Sequence, residues 1–544
     1  MAGSVSKELF TMGIYVNPGN QAFKEISGPN YVDKTGLIDM INESINSSGK
    51  LICISRPRRF GKSYAAKMLT AYYDCSCDSD ALFAGRQISE SENYRKHLNQ
   101  YNVICLDITA FLSEAQRVGD SPRVVPGRIV SALRRELDSI APDLPPGTDL
   151  ETAMIHCVEK QNGRKFIFII DEWDALIREA KDDEEAQKRY LNLLRSWFKN
   201  SNFTSRAVAA AYMTGILPIK KDGSQSAISD FEEYSMIEPY TFGKYVGFTE
   251  DEVREKCREA GVDFAAMKHW YDGYRFPDVG SVYNPNSVMK AVRLKRFRSY
   301  WTETSAAEGL MDYISKGYTG LSKTIAELIG GVDVPVNPIG FANDLTTFRG
   351  KDDVLTLMIH LGYLAYDAEK GTARIPNEEI RQEFQRSVRD VHHQETLLRL
   401  QESDKLFDDT IHENAEAVAA RIEKIHLEEA DPRFYNNEQA LRSVIKLAYY
   451  TYRDHYMQME ELPAGRGYAD IVYLPKPDYW YPALIIELKW NQSSDGAIRQ
   501  IQEKHYPSCL KDYSGDFLLV GISYSPKNGH HTCTIEKGSL PCLD

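Results

Sequence analysis

The chain of 544 residues is longer than one hydrophobic core usually serves, and at roughly 150 residues per domain it divides into three or four units. Its 42% hydrophobic and 26% charged residues are those of an ordinary globular protein, no apolar run nears the roughly 20 residues that cross a bilayer, and Met1 to Phe10 has no secretory pattern, so membrane classes are excluded and a cytoplasmic location is expected. A formal charge of -13 argues against a chain that coats nucleic acid over its whole surface, and since the residues from Arg433 onward hold 12 Lys or Arg against 13 Asp or Glu, the acidity lies ahead of them.

The first strand expected is Leu51-Ile52-Cys53-Ile54, followed by a basic, glycine-containing turn and a helix over Tyr64 to Tyr73. The turn, Arg56-Pro57-Arg58-Arg59-Phe60-Gly61-Lys62-Ser63, has the Gly-Lys-Ser ending of a phosphate-binding loop but carries arginine where its first glycine usually stands. Lys62 is expected to reach the β and γ phosphates of ATP and Ser63 to ligate Mg²⁺, with the amides around Gly61 and the helix dipole facing the anion. Arg56, Arg58 and Arg59 either stabilise transition-state charge, with Arg59 taken as nucleotide-binding, or pair with acidic neighbours. Cys75 and Cys77 are one residue too close for a Cys-x-x-Cys motif, and the nine cysteines read as reduced thiols, mostly buried.

A second strand is expected at Val103 to Ile108, and the strongest at Phe166-Ile167-Phe168-Ile169-Ile170, an apolar run suited to a strand covered on both faces of a parallel sheet. It ends in Asp171-Glu172-Trp173-Asp174, carboxylates at the carboxyl end of a buried strand, where α/β sheets bind ligands. Asp171 is expected to hold Mg²⁺ and Glu172 to polarise the attacking water as a catalytic residue, with Asp174 capping the next helix. The acidic run Asp182 to Glu185 reads as solvated. A further strand within Arg206 to Leu217 ends at Thr214, which either senses the γ phosphate or simply closes the strand.

A helical lid is expected to begin at Phe248 to Gly261, opened by the capping pattern Thr249-x-x-Glu252. The aromatic run Trp270 to Phe276 reads as lid packing rather than base stacking. A helix at Leu355 to Leu364, strands at Tyr366-Asp367 and Ala373-Arg374-Ile375, and a helix at Glu378 to Phe384 are compatible with a winged-helix unit, and Gln401 to Glu429 reads as a helical connector ending near Asp431-Pro432.

In the C-terminal part, Gly465 to Tyr473 reads as a turn into a strand carrying Asp470, and Ala483 to Lys489 as its neighbour, with Glu487 and Lys489 on one face. Two carboxylates and a lysine are what metal-dependent phosphodiester hydrolysis needs: Asp470 and Glu487 to hold Mg²⁺ or Mn²⁺, and Lys489 to orient water and stabilise charge. The other reading is a pair of strand carboxylates neutralised by Arg466 and Lys489. Glu438, in a helix expected over Asn437 to Tyr450, is either a further metal ligand or an ordinary N-terminal helix carboxylate. Gln500 and Lys504 fall on one face of a later helix, followed by Tyr506. His530-His531-x-Cys533 is too compressed for a structural zinc site, and His392-His393 reads as helix surface.

Tyr31-Val32-Asp33-Lys34-Thr35, Arg56 to Ser63, Phe168 to Asp174, Thr214-Gly215-Ile216, Trp270 to Phe276 and Tyr283-Asn284-Pro285 together resemble the AAA-ATPase-like domain often fused to a PD-(D/E)XK nuclease. Asp470, sixteen residues, then Glu487-x-Lys489 resembles the nuclease signature, with alanine before the aspartate where the name has proline. At Asp230-Phe231 the chain departs from the asparagine pair common in such proteins.

The resemblance implies an α/β chain: a P-loop ATPase domain with a parallel sheet over 1–245, a helical lid region over 246–345, a winged-helix and connector region over 346–430, and an α/β nuclease domain over 431–544. It implies ATP and Mg²⁺ as cofactors, and places Glu438, Gln500 and Lys504 beside the nuclease site. An ATP-dependent or ATP-regulated nuclease acting on nucleic acid, DNA first, is the leading expectation, and self-association into a homo-oligomer is compatible with it. The alternatives are a nucleotide-switched module that grips nucleic acid or protein without cutting, and a module that binds ATP without hydrolysing it.

Overall fold

Apolar runs build the strands of the first sheet, namely β1 (Leu51–Ser55), β2 (Asn102–Asp107), β3 (Phe166–Asp171), β4 (Val208–Gly215) and the short β5 (Glu232–Tyr234). They lie in the order β2-β3-β4-β1-β5, and every neighbouring pair is parallel. The structure, a computed structural model, describes residues 12–145, 147–219, 228, 230–301, 318, 320–341, 348–390, 394–429, 438–449, 452, 456–464, 467–476, 481–503 and 515–539. The chain divides into two compact units, Met1–Tyr313 with Pro335–Glu383, and Ile314–Val334 with Phe384–Asp544.

In the first unit β1, β3 and β4 are buried along their whole length, as expected for strands covered on both faces. Phe168, Ile170, Trp173, Trp197 and Met213 belong to one core. The helix α1 (Lys62–Tyr73) begins two residues before the expected Tyr64, because Gly61 takes a left-handed conformation (φ 93°) and turns the loop directly into it. β5 was not expected, since three residues with two glutamates carry no strand signal. The acidic run is more than a solvated stretch: Asp183 caps the helix Glu184–Phe198 through the Ala186 amide and pairs with Arg123.

The helix Glu250–Ala260 carries the expected reciprocal cap between Thr249 and Glu252 and stops at left-handed Gly261. The aromatic run packs, with Tyr271, Tyr274 and Phe276 buried, while α2 (Pro285–Leu294) is capped by Asn284 and closes the same small core through Val288 and Ala291. The expected helix, two strands and helix follow as α3 (Lys351–Leu361), a hairpin of Ala365–Asp367 with Thr372–Arg374, and the helix Glu378–Asp390. Three of the seven described cysteines, Cys53, Cys157 and Cys257, are fully buried, and Cys75, Cys77, Cys105 and Cys533 are half-buried, so the thiols are less enclosed than expected. No helix among the described residues is long and apolar enough to cross a membrane.

The second unit is built on another sheet, β6 (Tyr456–Ala464), β7 (Gly467–Pro475), β8 (Ala483–Trp490), β9 (Asp516–Ser525) and β10 (His530–Ser539), paired in that order. Only β8 and β9 are parallel, which requires a crossover, and α5 (Ser494–Glu503) supplies it after α4 (Glu438–Ala448) has preceded the sheet. Alternation sorts β8 onto two faces: Leu484, Ile486 and Leu488 join the core that holds Leu441 and Ile445 of α4, whereas Ile485 joins Ile498 and Ile501 of α5. Arg466, Lys504, Tyr506, His392-His393 and Asp431-Pro432 lie outside the described residues.

Candidate nucleotide site and carboxylate cluster

Because β4 lies between β1 and β3, its carboxyl end sits between the phosphate loop and the acidic end of β3. Ile54 pairs with Thr214 across one register and Ile170 with Met213 across the other, which brings the Thr214 hydroxyl to 3.3 Å from Asp171 Oδ1. The Trp173 amide donates to the Thr214 carbonyl at 2.9 Å, and Gly215 has no room for a side chain, since a Cβ there would stand 2.7 Å from the Trp173 ring and 2.8 Å from Asp174 Oδ1. The two strand ends are therefore locked together.

Lys62, buried at the start of α1, donates to the carbonyls of Arg56 and Pro57 at 3.1 Å each and lies 3.2 Å from Glu172 Oε1. Ser63 is exposed at the mouth, with its hydroxyl near enough to Asp171 to lower that carboxyl. Burial pushes the Asp171 carboxyl above its ordinary range, against the downward pull of that hydroxyl. At Glu172 burial pulls the same way but is outweighed by Lys62 and Arg178, which hold the carboxyl below its ordinary value. Both Glu172 (φ 49°) and the exposed Arg59 (φ 68°) occupy the left-handed region that side chains rarely adopt, a strain that clusters at functional sites. Arg59 Nη1 reaches Asn286 Oδ1 at 3.3 Å.

Arg56, standing where the loop glycine was expected, is fully buried and points away from the mouth. Its Nη1 donates to the carbonyls of Ser55, Tyr234 and Ser235 at 2.8–2.9 Å, and its guanidinium lies 5.1 Å from the Phe276 ring centre. Neither expectation for this arginine holds, because the guanidinium is neither aimed at the phosphate position nor paired with an acidic side chain; it fastens the loop to β5. Burial lowers its pKa to about 10.

One contributor was given another role in the sequence and two were missed. Asp174 heads the helix Ala175–Glu179 without capping it. Its Oδ2 instead accepts from the amides of Ile216 at 3.1 Å and Leu217 at 2.8 Å, and from Arg178 Nε at 2.9 Å. Arg178 also donates from Nη2 to Glu172 Oε2 at 2.7 Å. Asp107 ends β2 directly beside Asp171 in the register, exposed at the strand end, and its carboxylate caps the helix Ile108–Arg117 through the Ala110 amide. Of the two missed, only Asp107 left a trace, as the acidic residue closing an apolar run.

Residues 18–224 match the family model described as Predicted AAA-ATPase. The chain thus carries an AAA-ATPase-like domain there, which holds β1 to β4 of the parallel five-stranded sheet. Among solved structures, one of the Aeropyrum pernix ORC2 protein in ADPNP-ADP complexes is similar at 13% identity, covering 68% of this chain and 98% of that one with a TM-score of 0.30, too low to bear on fold or function. No curated protein matches the chain.

In the second unit the β7–β8 ladder runs through Ile471 and Ile486, and just beyond it the Asp470 side chain takes over, Oδ2 accepting from the Leu488 amide at 2.8 Å. Oδ1 pairs with Arg442 Nη2 of α4 at 2.5 Å. Glu487 and Lys489 follow on the face of Ile485 and are bonded, Nζ to Oε1, at 3.0 Å, while Gln500 of α5 donates to the same Oε1. Asp470, Glu487 and Lys489 are all buried. Glu438 opens α4 one turn before Arg442, on the same helix face. Arg442 was not anticipated; its spacing of four from Glu438 was the available signal.

Among the described residues no three His, Cys, Asp or Glu side chains gather as a metal site. The donors at hand are Ser63 with Asp171, and Asp470 with Glu487. Hard oxygens in such small numbers suit Mg²⁺, which is bound through one or two carboxylates with water and phosphate oxygens completing the shell.

Proposed function

We propose that this chain is an ATP-controlled, Mg²⁺-dependent nuclease acting on nucleic acid, with DNA as the first substrate to test. The observation that carries the reading is that buried Glu487 accepts from both Lys489 and Gln500 while Asp470, on the neighbouring strand, accepts from the adjoining Leu488 amide where the two strands part, in a chain that also holds an AAA-ATPase-like domain.

At the nucleotide site Lys62 leaves Glu172 for the β and γ phosphates, Ser63 and Asp171 hold Mg²⁺, and Thr214 keeps Asp171 oriented. Glu172, freed of Lys62 but still held by Arg178, accepts a hydrogen bond from the attacking water. Arg59, exposed at the loop, contacts the phosphates from outside. At the second site Asp470 and Glu487 would hold Mg²⁺, with Glu438 as a further candidate ligand, and Lys489 orients the water; as its oxygen bonds phosphorus its proton passes to solvent, and the leaving oxygen, parting from phosphorus, takes a proton from solvent. Bound metal supplies Lewis-acid charge to the phosphoryl oxygens at both places.

A second reading has its own observation. Arg442 on Asp470 and Lys489 on Glu487 already neutralise both carboxylates, as in a cluster that shapes a binding surface without cutting. Incubating labelled single- and double-stranded DNA and RNA with the protein, Mg²⁺ and ATP separates the two. Cleavage that disappears in Asp470→Asn and Glu487→Gln, both folded, supports the nuclease; no cleavage, or cleavage that both variants retain, leaves the binding module.

A further inference from the structure

The compact unit that holds the AAA-ATPase-like domain also carries, beyond that domain, a cationic ridge that the nucleotide site does not use. Lys290, Arg293, Lys295, Arg296 and Arg298 fall within nine residues, and no Asp or Glu occurs from 279 to 301, in a chain whose formal charge is -13. Arg293, Lys295, Arg296 and Arg298 are exposed, and the first three have no side-chain hydrogen bond or ion pair among the described residues. Cations in the last turn of α2 would be explained by the helix dipole alone. That accounts for Arg293 and Lys295 but not for Arg296 and Arg298, which follow the helix end at left-handed Lys295.

The ridge is held rigidly. The Tyr271 hydroxyl donates to the Arg298 carbonyl at 2.9 Å and accepts from the Arg298 amide at 3.2 Å. Just beyond, the Ser299 hydroxyl donates to Glu383 at 2.6 Å and the Tyr300 amide to Glu379 at 2.7 Å. With the backbone fixed, only side-chain freedom is lost at Arg293, Lys295 and Arg296 when a polyanion arrives. A membrane surface would be met by cations beside an apolar face, whereas Leu294 is the one large apolar side chain exposed between Lys290 and Arg298 among the described residues.

We propose that Arg293, Lys295, Arg296 and Arg298 form a docking surface for the phosphodiester backbone of nucleic acid. The opposite end of the same helix meets the phosphate loop, where Asn286 contacts Arg59 and Asn284 the Arg58 carbonyl. At 1.5 Å per residue this sets the ridge about 15 Å from the nucleotide site. The inference takes its ligand class from the nuclease reading but concerns binding alone, so its test is run without divalent metal and a failure to cleave does not touch it.

The full chain is titrated in EDTA against a fluorescein-labelled duplex over a series of salt concentrations, beside the variant Arg293→Ser/Lys295→Asn/Arg296→Ser, in which asparagine tolerates the left-handed position. The variant is expected to melt and bind ATP as the wild type does, to bind the duplex at least about tenfold more weakly, and to lower the slope of log affinity against log salt by about 2 to 3. Wild-type protein that does not bind the duplex at low salt, or a variant with unchanged affinity and slope, overturns the proposal. So does a variant that loses binding to phosphatidylserine vesicles or to polyglutamate while keeping the duplex, which would assign the ridge to a membrane or to an acidic protein.

Discussion

Arg178 Nη2 lies 2.7 Å from Glu172 Oε2 while its Nε lies 2.9 Å from Asp174 Oδ2, so one buried guanidinium joins the nucleotide site to the carboxylate that ties down the Ile216 and Leu217 amides. In the proposed mechanism Lys62 moves to the phosphates and Arg178 stays on Glu172. Arg178→Met is expected to lower ATP turnover about tenfold to a hundredfold with a much smaller change in ATP affinity. Arg178→Lys should recover part of the loss, since it keeps charge but not the two-pronged geometry. Steady-state phosphate release beside equilibrium nucleotide binding reads the difference.

Thr214 touches Asp171 rather than the mouth of the site, and it is fully buried. Thr214→Val keeps the shape and removes one hydrogen bond, worth about 1 kcal/mol. Affinity for ATP with Mg²⁺ should fall about fivefold, while affinity in EDTA stays as it was. Equal losses in both conditions would place Thr214 on the phosphate itself.

Glu379 offers a test of stability against pH. It is buried beneath the lid, accepting from the Ser287 hydroxyl and the Tyr300 amide, and burial raises its pKa to about 7 from the ordinary 4.5. The folded form therefore favours the protonated acid, so this contribution is complete below about pH 4.5 and is lost as pH rises through about 7. Glu379→Gln, which cannot ionise, should be more stable than the wild type at pH 8 by up to about 3 kcal/mol, with the difference vanishing below about pH 4. Denaturant melts at the two pH values decide it.

What the sequence made legible was what local pattern encodes. The run ending in Asp171 named its own strand and covering, Gly61-Lys62-Ser63 a loop leading into a helix, and Thr249 with Glu252 its cap. The alternation that puts Glu487 and Lys489 on one face of β8 was readable too, because a strand's period is two. Arg56 was misread since its partners are backbone carbonyls about 180 residues away, which leave no charge pattern. Asp174 has the spacing of a helix cap, yet its carboxylate turns to amides more than 40 residues on. Arg442 belongs to a helix whose register against β7 follows from tertiary packing alone.

The central claim, that nucleotide state controls phosphodiester cleavage in one chain, is tested most directly by the rate of labelled DNA cleavage in Mg²⁺ with and without ATP, in wild type and in Lys62→Ala. The account predicts cleavage whose rate changes with ATP in the wild type and does not respond to ATP in Lys62→Ala. Cleavage that ignores ATP in the wild type, or no cleavage under any condition, would contradict it.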